Sequence, residues 1–250
     1  MVRAAGLLFA ALFASAFARA AAFELSPIVI QLEPRGPGAA RNFVVNNTQS
    51  DPIALLIEVY ARSASDHGEE IRTPDYDSFV ITPPQLVVEP STSQAIRVQW
   101  IGPPDIEREL AFRVIVRQLP IRFLSENQGS EFQADVAVAY RYEAAVYVAP
   151  PKSKPSAELV SSEPAIDETG RPVLRLTIAS KGSMRAILDQ PRLQITSASG
   201  ASVELTGERV DTLQMKNILS GTQAVIDVPW PEEVEFGPVG VTLNTRYFVG

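Results

Sequence analysis

Short runs rich in valine, isoleucine and aromatic residues dominate the chain from position 23 to position 150. Asn, Asp, Pro, Ser or Gly residues bound each run, which is typical of β-strands joined by turns. We therefore predict about seven strands, in FELSPIVIQLEP, ARNFVVNN, IALLIEVYAR, SFVITPPQLVVEP, SQAIRVQWIG, ELAFRVIVRQLP and QADVAVAYRYEAAVYVAP. Because no amphipathic pattern of helical length occurs here, an all-β, immunoglobulin-like sandwich is the fold that these runs favour.

A second group of strand patterns follows the segment APPKSKPSA at positions 149–157, whose composition is typical of a short, fairly stiff linker. The predicted strands of this group are PVLRLTIAS, AILDQPRLQITS, SVELTG, TQAVIDVPW and VGVTLNTRYFVG, while MKNIL is expected to form one helical turn or a loop. We predict a first domain over 23–150, a linker over 151–156 and a smaller β-domain over 157–250.

The first 22 residues have the organisation of a secretory signal peptide. Arg3 gives a basic start, an apolar run extends to Phe17, and an alanine-rich stretch ends the segment. A transmembrane helix is the alternative, but the apolar run is shorter than the roughly 20 residues that a membrane span needs. We therefore expect an exported protein from which residues 1–22 have been removed.

Composition narrows the classes of function. The chain has 22 basic and 29 acidic residues, a formal net charge of −7, and losing Arg3 and Arg19 with the signal lowers this charge to −9. So acidic a chain is a poor general binder of nucleic acid. The absence of cysteine excludes thiol catalysis and disulfides, so an exported chain of this kind depends on its apolar core for stability.

Side chains suited to catalysis or metal binding are sparse. His67, the single histidine, lies in the polar segment SASDHGEE without partners for a catalytic triad or a zinc site, and we expect it to be solvated. The acidic segments DHGEE and DYD lack the spacing of a calcium loop, and no nucleotide-binding or nucleophile motif is present. We predict no enzymatic activity, no cofactor and no small-molecule substrate.

Three stretches stand out by their order and spacing: FVITPPQLVVEPSTSQAIRVQW (79–100), ERELAFRVIVRQLP (107–120) and MKNILSGTQAVIDVP (215–229). Together they resemble the periplasmic pilus-assembly chaperones of the chaperone–usher pathway. The first is similar to the family's Pro-Pro pair, apolar strand, Pro turn and Ile-Arg-Val. The second is similar to its Glu, aromatic-containing strand and Leu/Ile-Pro, and the third to its apolar-Gly turn before the final hairpin.

The resemblance implies two immunoglobulin-like domains set at an angle, with a cleft between them. It also implies a periplasmic chaperone that lends a β-strand to incompletely folded pilus subunits and delivers them to an outer-membrane usher. The strand would be about 133–148, with alternate donor residues that map onto Ala134, Val136, Val138 and Tyr140. From the residues alone, the alternative is that these side chains, which share one face, belong to the domain's own core.

The loop before this strand, 121–133, is long for a hairpin connection. Its apolar residues Phe123, Leu124 and Phe132 would extend the donor surface, the alternative being an ordinary loop with incidental apolar side chains.

The resemblance fails at the residues that hold the subunit's terminal carboxylate. The family uses an Arg on the first strand and a Lys near the end of the donor strand, and these positions hold Pro27 and Ala145. A carboxylate in a partly desolvated cleft still favours a charged partner. The candidate substitutes are Arg97, which we favour, and Arg113, Arg117 and Arg141.

The family's interdomain salt bridge is also incomplete. Glu109 matches its Glu, but Ala149 replaces its Arg, and no Asp motif is recognisable before the last strand. Ile115 stands where the family often has Asn. These differences indicate a divergent branch, for which the archaic type is a candidate.

The alternative function is that of a secreted two-domain adhesin or pilus structural subunit. Subunits usually carry a disulfide and one incomplete domain, whereas this chain has no cysteine and its first domain has a full set of predicted strands. FELSPIVI would also begin its strand directly after signal cleavage. The chaperone is therefore the favoured interpretation, and its apolar edge strand predicts that the free protein can self-associate.

Overall fold

The computed structural model describes residues 23–121 and 139–248. Within these ranges the secondary structure consists of seventeen strands and two short 3₁₀ turns. The predicted signal peptide and most of the loop before the predicted donor strand lie outside the described residues.

Ten strands and one 3₁₀ turn, Gly36–Ala39, build the first sandwich. The strands are β1 (Glu24–Ser26), β2 (Val29–Leu32), β3 (Ala40–Asn46), β4 (Ile53–Ala64), β5 (Glu70–Pro74), β6 (Phe79–Thr82), β7 (Gln85–Val88), β8 (Ser93–Trp100), β9 (Leu110–Gln118) and β10 (Arg141–Val148). One sheet has the order β1-β3-β8-β6, and the other has the order β2-β10-β9-β4-β5, with β7 also paired to β4. The pairing of β2 with β10 is parallel, and Val29 lies opposite Ala145.

The alternation of apolar and polar residues explains how the two sheets face each other. Along β8, Ile96 and Val98 are fully buried, whereas Arg97 between them is exposed. Along β10, Ala144, Val146 and Val148 are buried in the same core cluster. The intervening residues of β10 therefore point to the opposite, outer surface of their sheet.

Proline residues divide two of the predicted strands. Pro27 separates β1 from β2, which belong to different sheets, and the Pro83–Pro84 pair separates β6 from β7. Proline has no backbone N–H and cannot continue a ladder. In this sandwich β5 was missed altogether, because it is exposed at every residue and has no alternation of apolar side chains.

Seven further strands and the 3₁₀ turn Gly207–Val210 build the second sandwich. The strands are β11 (Ala157–Ile166), β12 (Pro172–Ser180), β13 (Ala186–Ser197), β14 (Ser202–Leu205), β15 (Asn217–Ile218), β16 (Gln223–Pro229) and β17 (Val239–Tyr247). The sheets are β11-β12-β16 and β14-β13-β15, with β17 also paired to β13. MKNIL contributes the short strand β15 and is not a helical turn, and β11 was not predicted.

Each sandwich has its own core, and backbone contacts join the two. Glu109 N donates to Ser183 O at 2.8 Å, and Val225 N donates to His67 O at 3.3 Å. No strand pair connects the sandwiches among residues 23–121 and 139–248. The all-β fold with two sandwiches is thus confirmed, while the domain boundaries at 150 and 157 stay a prediction.

Candidate functional site

The outer surface of the sheet β2-β10-β9-β4-β5 is partly covered by the second sandwich. Leu219 of the second sandwich packs on Ala145 and Tyr147 of β10 and on Ala111 of β9. Beyond this contact the surface carries a patch of charged side chains, which we call the cleft face. Its members are Glu58 and Arg62 of β4, Glu70 and Arg72 of β5, Arg113 and Arg117 of β9, and Arg141 and Glu143 of β10.

Glu70 is the centre of the cleft face. Arg113 donates to its two carboxylate oxygens at 3.1 and 2.8 Å, Arg72 donates at 2.6 Å, and Arg62 forms a third ion pair. These partners, with the hydrogen bond from Arg113 as the largest effect, lower the pKa of Glu70 from 4.5 to about 2. The carboxylate therefore holds three guanidinium groups in fixed positions.

Glu143 forms a second centre beside the first. Arg72 donates to it at 2.9 Å and Arg141 pairs with it at 3.0 Å, and the hydrogen bond from Arg72 is the main cause of its lowered pKa. Arg117 pairs separately with Glu58 at 3.2 Å. With five arginines and three glutamates, the cleft face has an excess of two positive charges.

A buried ion pair joins the two sandwiches next to the cleft face. Arg185 of the second sandwich binds Glu109 through its guanidinium and, at 3.0 Å, through its backbone N–H. The two side chains are only 5% and 1% exposed. Burial raises the pKa of Glu109, although Arg185 opposes this effect. The Arg185 guanidinium also lies 3.7 Å from the ring centroid of Tyr147.

Arg185 was not predicted from the sequence. It lies 76 residues from Glu109 in the chain, directly before β13 and without a distinctive motif. Glu109 was predicted as an interdomain residue, and the structure shows it in that contact with a different partner from the family's. Ala149, at the position of the family's Arg, is buried.

The predicted donor residues are only partly described. Ala134, Val136 and Val138 lie outside the described residues, as do Phe123, Leu124 and Phe132. Tyr140 is half-buried and packs against the core of the first sandwich, on the same side as Ala144, Val146 and Val148. Its backbone oxygen accepts a hydrogen bond from Gln118 N at 2.9 Å.

The two predicted anchors lie on opposite surfaces of the first sandwich. Arg97 is exposed on β8, opposite Asn42 and Thr82, in the sheet that lacks β10. Arg141 lies on the cleft face, directly opposite Arg117. Because this placement separates Arg97 from the cleft, we do not retain our preference for it as the anchor.

The other candidate chemistry has ordinary structural explanations. His67 is exposed in the turn between β4 and β5. Asp75 in the DYD segment accepts hydrogen bonds from Asp77 N and Ser78 N at 3.2 and 2.9 Å, as expected for a turn. Across residues 23–121 and 139–248, no group of three or more potential metal-ligating acidic or histidine side chains occurs. Within the same ranges, no helix has the length and apolar character that crossing a membrane requires.

Comparison with known families decides which class of protein this is. The profile of the family described as pili and flagellar-assembly chaperone, PapD N-terminal domain, matches residues 27–154. The chain belongs to this family. This chaperone therefore acts in pilus assembly, in a role that is not enzymatic, and the alternative of a structural subunit is disfavoured.

Solved structures of low sequence identity share the fold of this chaperone. A chain from a chaperone–tip adhesin complex of CFA/I fimbriae biogenesis is 16% identical, with a TM-score of 0.55, covering 89% of this chain and 98% of that one. The E. coli chaperone DraB is also 16% identical, with a TM-score of 0.50 and coverages of 92% and 97%. Comparison with the curated proteins gave no significant match.

A third similar structure comes from an archaic system. It is a chain of the CsuC–CsuE chaperone–tip adhesion subunit pre-assembly complex of Csu pili from Acinetobacter baumannii. The identity is 13%, the TM-score is 0.50, and the coverages are 82% of this chain and 89% of that one. At these identities the three structures support the fold of two sandwiches and leave the branch of this chaperone a prediction.

Proposed function

We propose that this chaperone works in the periplasm after losing residues 1–22, and that it binds pilus subunits by lending them the segment 133–148 as a β-strand. The bound subunit would then pass to an outer-membrane usher. The basic, apolar and alanine-rich order of the first 22 residues supports export. Family membership supports pilus subunits as the partners.

The position of Tyr140, directly before β10, is the observation that supports strand donation most strongly. Ala144, Val146 and Val148 fill the core of the first sandwich, and Tyr140 packs at the margin of that core. In the sequence the same alternation continues backwards to Val138 and Val136. An apolar face that continues in the sequence beyond the described strand can fill a partner's groove, since alternate side chains share one side of a strand.

Each donated valine supplies a substantial share of the affinity. Burying a valine side chain contributes about 1.5–3 kcal/mol relative to leaving it exposed. Main-chain hydrogen bonds between the donated strand and the subunit would add affinity that is independent of the subunit's sequence. The same exposed edge would let free chaperone molecules pair with one another until a subunit displaces the contact.

We assign the carboxylate anchor to Arg141 and Arg117. The two arginines lie directly opposite each other on β10 and β9, so a bound anion would reduce the repulsion between their like charges. Each has a single glutamate partner among the described residues, and the side chains are 49% and 41% exposed. Both can therefore offer further N–H donors to a terminal carboxylate.

Co-expression with a pilus subunit of the same organism tests strand donation. Val138→Arg places a charge on the donor face and should abolish the 1:1 complex in a pull-down. Ala139→Arg adds the same charge to the other face of the strand and should retain most of the complex. Circular dichroism and thermal melting must show that both variants fold. A complex that survives Val138→Arg, or that is lost equally in both variants, would refute the donor assignment.

A further inference from the structure

The side chain of Tyr147 contacts two groups that the proposed function treats separately: the ion pair between the domains and the arginines of the cleft face. We propose that its hydroxyl group positions the cleft-face arginines, so that packing of the second domain sets the affinity for a terminal carboxylate. Tyr147 would thus be a positioning residue and not an anchor. This inference rests on the proposed anchoring of a subunit carboxylate.

The ring of Tyr147 belongs to the contact between the domains. The residue is 3% exposed, and its ring is covered by the guanidinium of Arg185 and by Leu219. Both covering side chains come from the second sandwich. Because Arg185 is bound to the buried Glu109, its position over the ring is fixed. The position of the ring therefore depends on how the two domains pack.

The hydroxyl group of Tyr147 receives one hydrogen bond from each domain. Asn217 of the second sandwich donates through Nδ2 at 2.9 Å, and Arg62 of the first sandwich donates through Nη1 at 3.1 Å. Arg62 is only 13% exposed, so water cannot easily replace this acceptor. Loss of the hydroxyl would leave both donors without this partner in a poorly hydrated position.

A continuous series of ion pairs leads from Arg62 to the proposed anchor. Arg62 binds Glu70, which also binds Arg72, and Arg72 in turn binds Glu143. Glu143 then binds Arg141 at 3.0 Å. Each glutamate is shared between arginines, so a shift of one guanidinium changes the position and charge environment of the next. Linked polar groups of this kind couple more strongly in a partly buried site than in water.

A role of Tyr147 in packing alone would not depend on its hydroxyl group. If Tyr147 only filled space, Tyr147→Phe would be nearly silent, because it keeps the ring, the contact with Leu219 and the guanidinium stacked on the ring. If the hydroxyl positions Arg62, the same change should disturb Glu70, which Tyr147 does not touch in the described structure. The pKa of Glu70 therefore discriminates between a packing role and a positioning role of Tyr147.

The first measurement needs no ligand. The pKa of Glu70 is followed by NMR titration in the wild-type chain and in Tyr147→Phe. We expect the variant to raise the pKa of Glu70 modestly above about 2, because Arg62 is no longer held against the carboxylate while Arg113 and Arg72 still donate to it. The pKa of Glu233, which pairs with Arg209 far from the junction in the second sandwich, is the internal control and should not move. An unchanged pKa of Glu70 overturns the inference.

The second measurement uses a synthetic peptide with the last ten or so residues of a pilus subunit, prepared as a free acid and as a C-terminal amide. Wild-type chaperone should prefer the acid, and Tyr147→Phe should reduce this preference about threefold to tenfold, a typical range for indirect coupling. No preference in the wild type would refute the anchor in the proposed function. A normal preference in both proteins would refute the role of Tyr147 alone.

A second variant, in the second domain, tests the same hydrogen-bonded contact without changing Tyr147, so a folding defect of Tyr147→Phe would not affect it. Asn217→Ala removes the donor from the second domain and leaves Tyr147 and Arg62 in place. We expect a smaller loss of preference for the acid peptide, in the same direction. If Asn217→Ala has no effect while Tyr147→Phe does, the hydroxyl acts within the first domain only, and the proposed dependence on domain packing is wrong.

Discussion

At the residue scale, the role of each charged residue is decided by the side chains that it contacts in the folded chain. Glu70 belongs to a segment interpreted from the sequence as a polar turn, yet it organises three arginines in the folded chain. Arg97, favoured from the sequence, points away from the cleft. Sequence alone could not rank these residues, because it does not show that Arg113 of β9 reaches Glu70 across 43 positions of the chain, or which sheet carries Arg97.

The pKa of Glu70 makes a prediction about acid stability. Its pKa of about 2 in the folded chain lies below the ordinary value of 4.5, so the ionised form stabilises the fold above pH 4.5. This contribution is lost as the pH falls from 4.5 toward 2. Glu70→Gln should therefore lose less free energy of unfolding than the wild type over this window, as measured by urea denaturation at successive pH values.

The control for this titration is Glu69→Gln at the adjacent position. The Glu69 side chain forms no ion pair among the described residues, although its backbone N–H donates to Ser65 Oγ. Glu69→Gln should keep the steeper pH dependence of the wild type. Parallel curves for the wild type and Glu70→Gln would contradict the assigned ion pairs.

At the element scale, the hairpin of β4 and β5 has two functions in the fold. Its strands carry Arg62, Glu70 and Arg72 onto the cleft face, and its turn rests on β16 of the second sandwich. The turn was predicted as a polar segment, but its docking was not, because the turn contributes backbone oxygens, of which Asp66 O accepts from Gln223 Nε2 at 3.0 Å. Val225 N donates to His67 O, and a backbone hydrogen bond leaves no trace in side-chain patterns.

Gly68 in this turn provides a test of the docking. Its φ of +85° is unfavourable for other residues, and an added Cβ would lie 2.8 Å from Ala224 Cα. Gly68→Ala should therefore cost about 1–2 kcal/mol for the backbone conformation and about 1–3 kcal/mol more for the steric conflict. Urea denaturation would measure this loss, and small-angle scattering would detect any loosening between the domains.

A matched control exists at Gly170, whose φ is +83° and whose added Cβ would meet nothing within 4 Å. Gly170→Ala should show only the cost of the backbone conformation. Equal losses of unfolding free energy in the two variants would mean that the turn does not pack closely on β16.

At the scale of the whole molecule, the alternating pattern predicted the fold better than it predicted the site. Runs such as SQAIRVQWIG became strands because alternate residues, including Ile96 and Val98, fill one core. The strand β11 was missed because every one of its residues is exposed or half-buried. The partner of Glu109 was missed because Arg185 meets it only when the two sandwiches pack together.

The central claim is that the chain completes a subunit's fold with its own strand. Hydrogen exchange of backbone amides, followed by mass spectrometry with and without a bound subunit, tests this claim most directly. A donated strand forms main-chain hydrogen bonds with the subunit, so segment 133–140 should gain protection on binding. Protection confined to other surfaces of the chaperone, with segment 133–140 exchanging at the same rate in both states, would contradict the account.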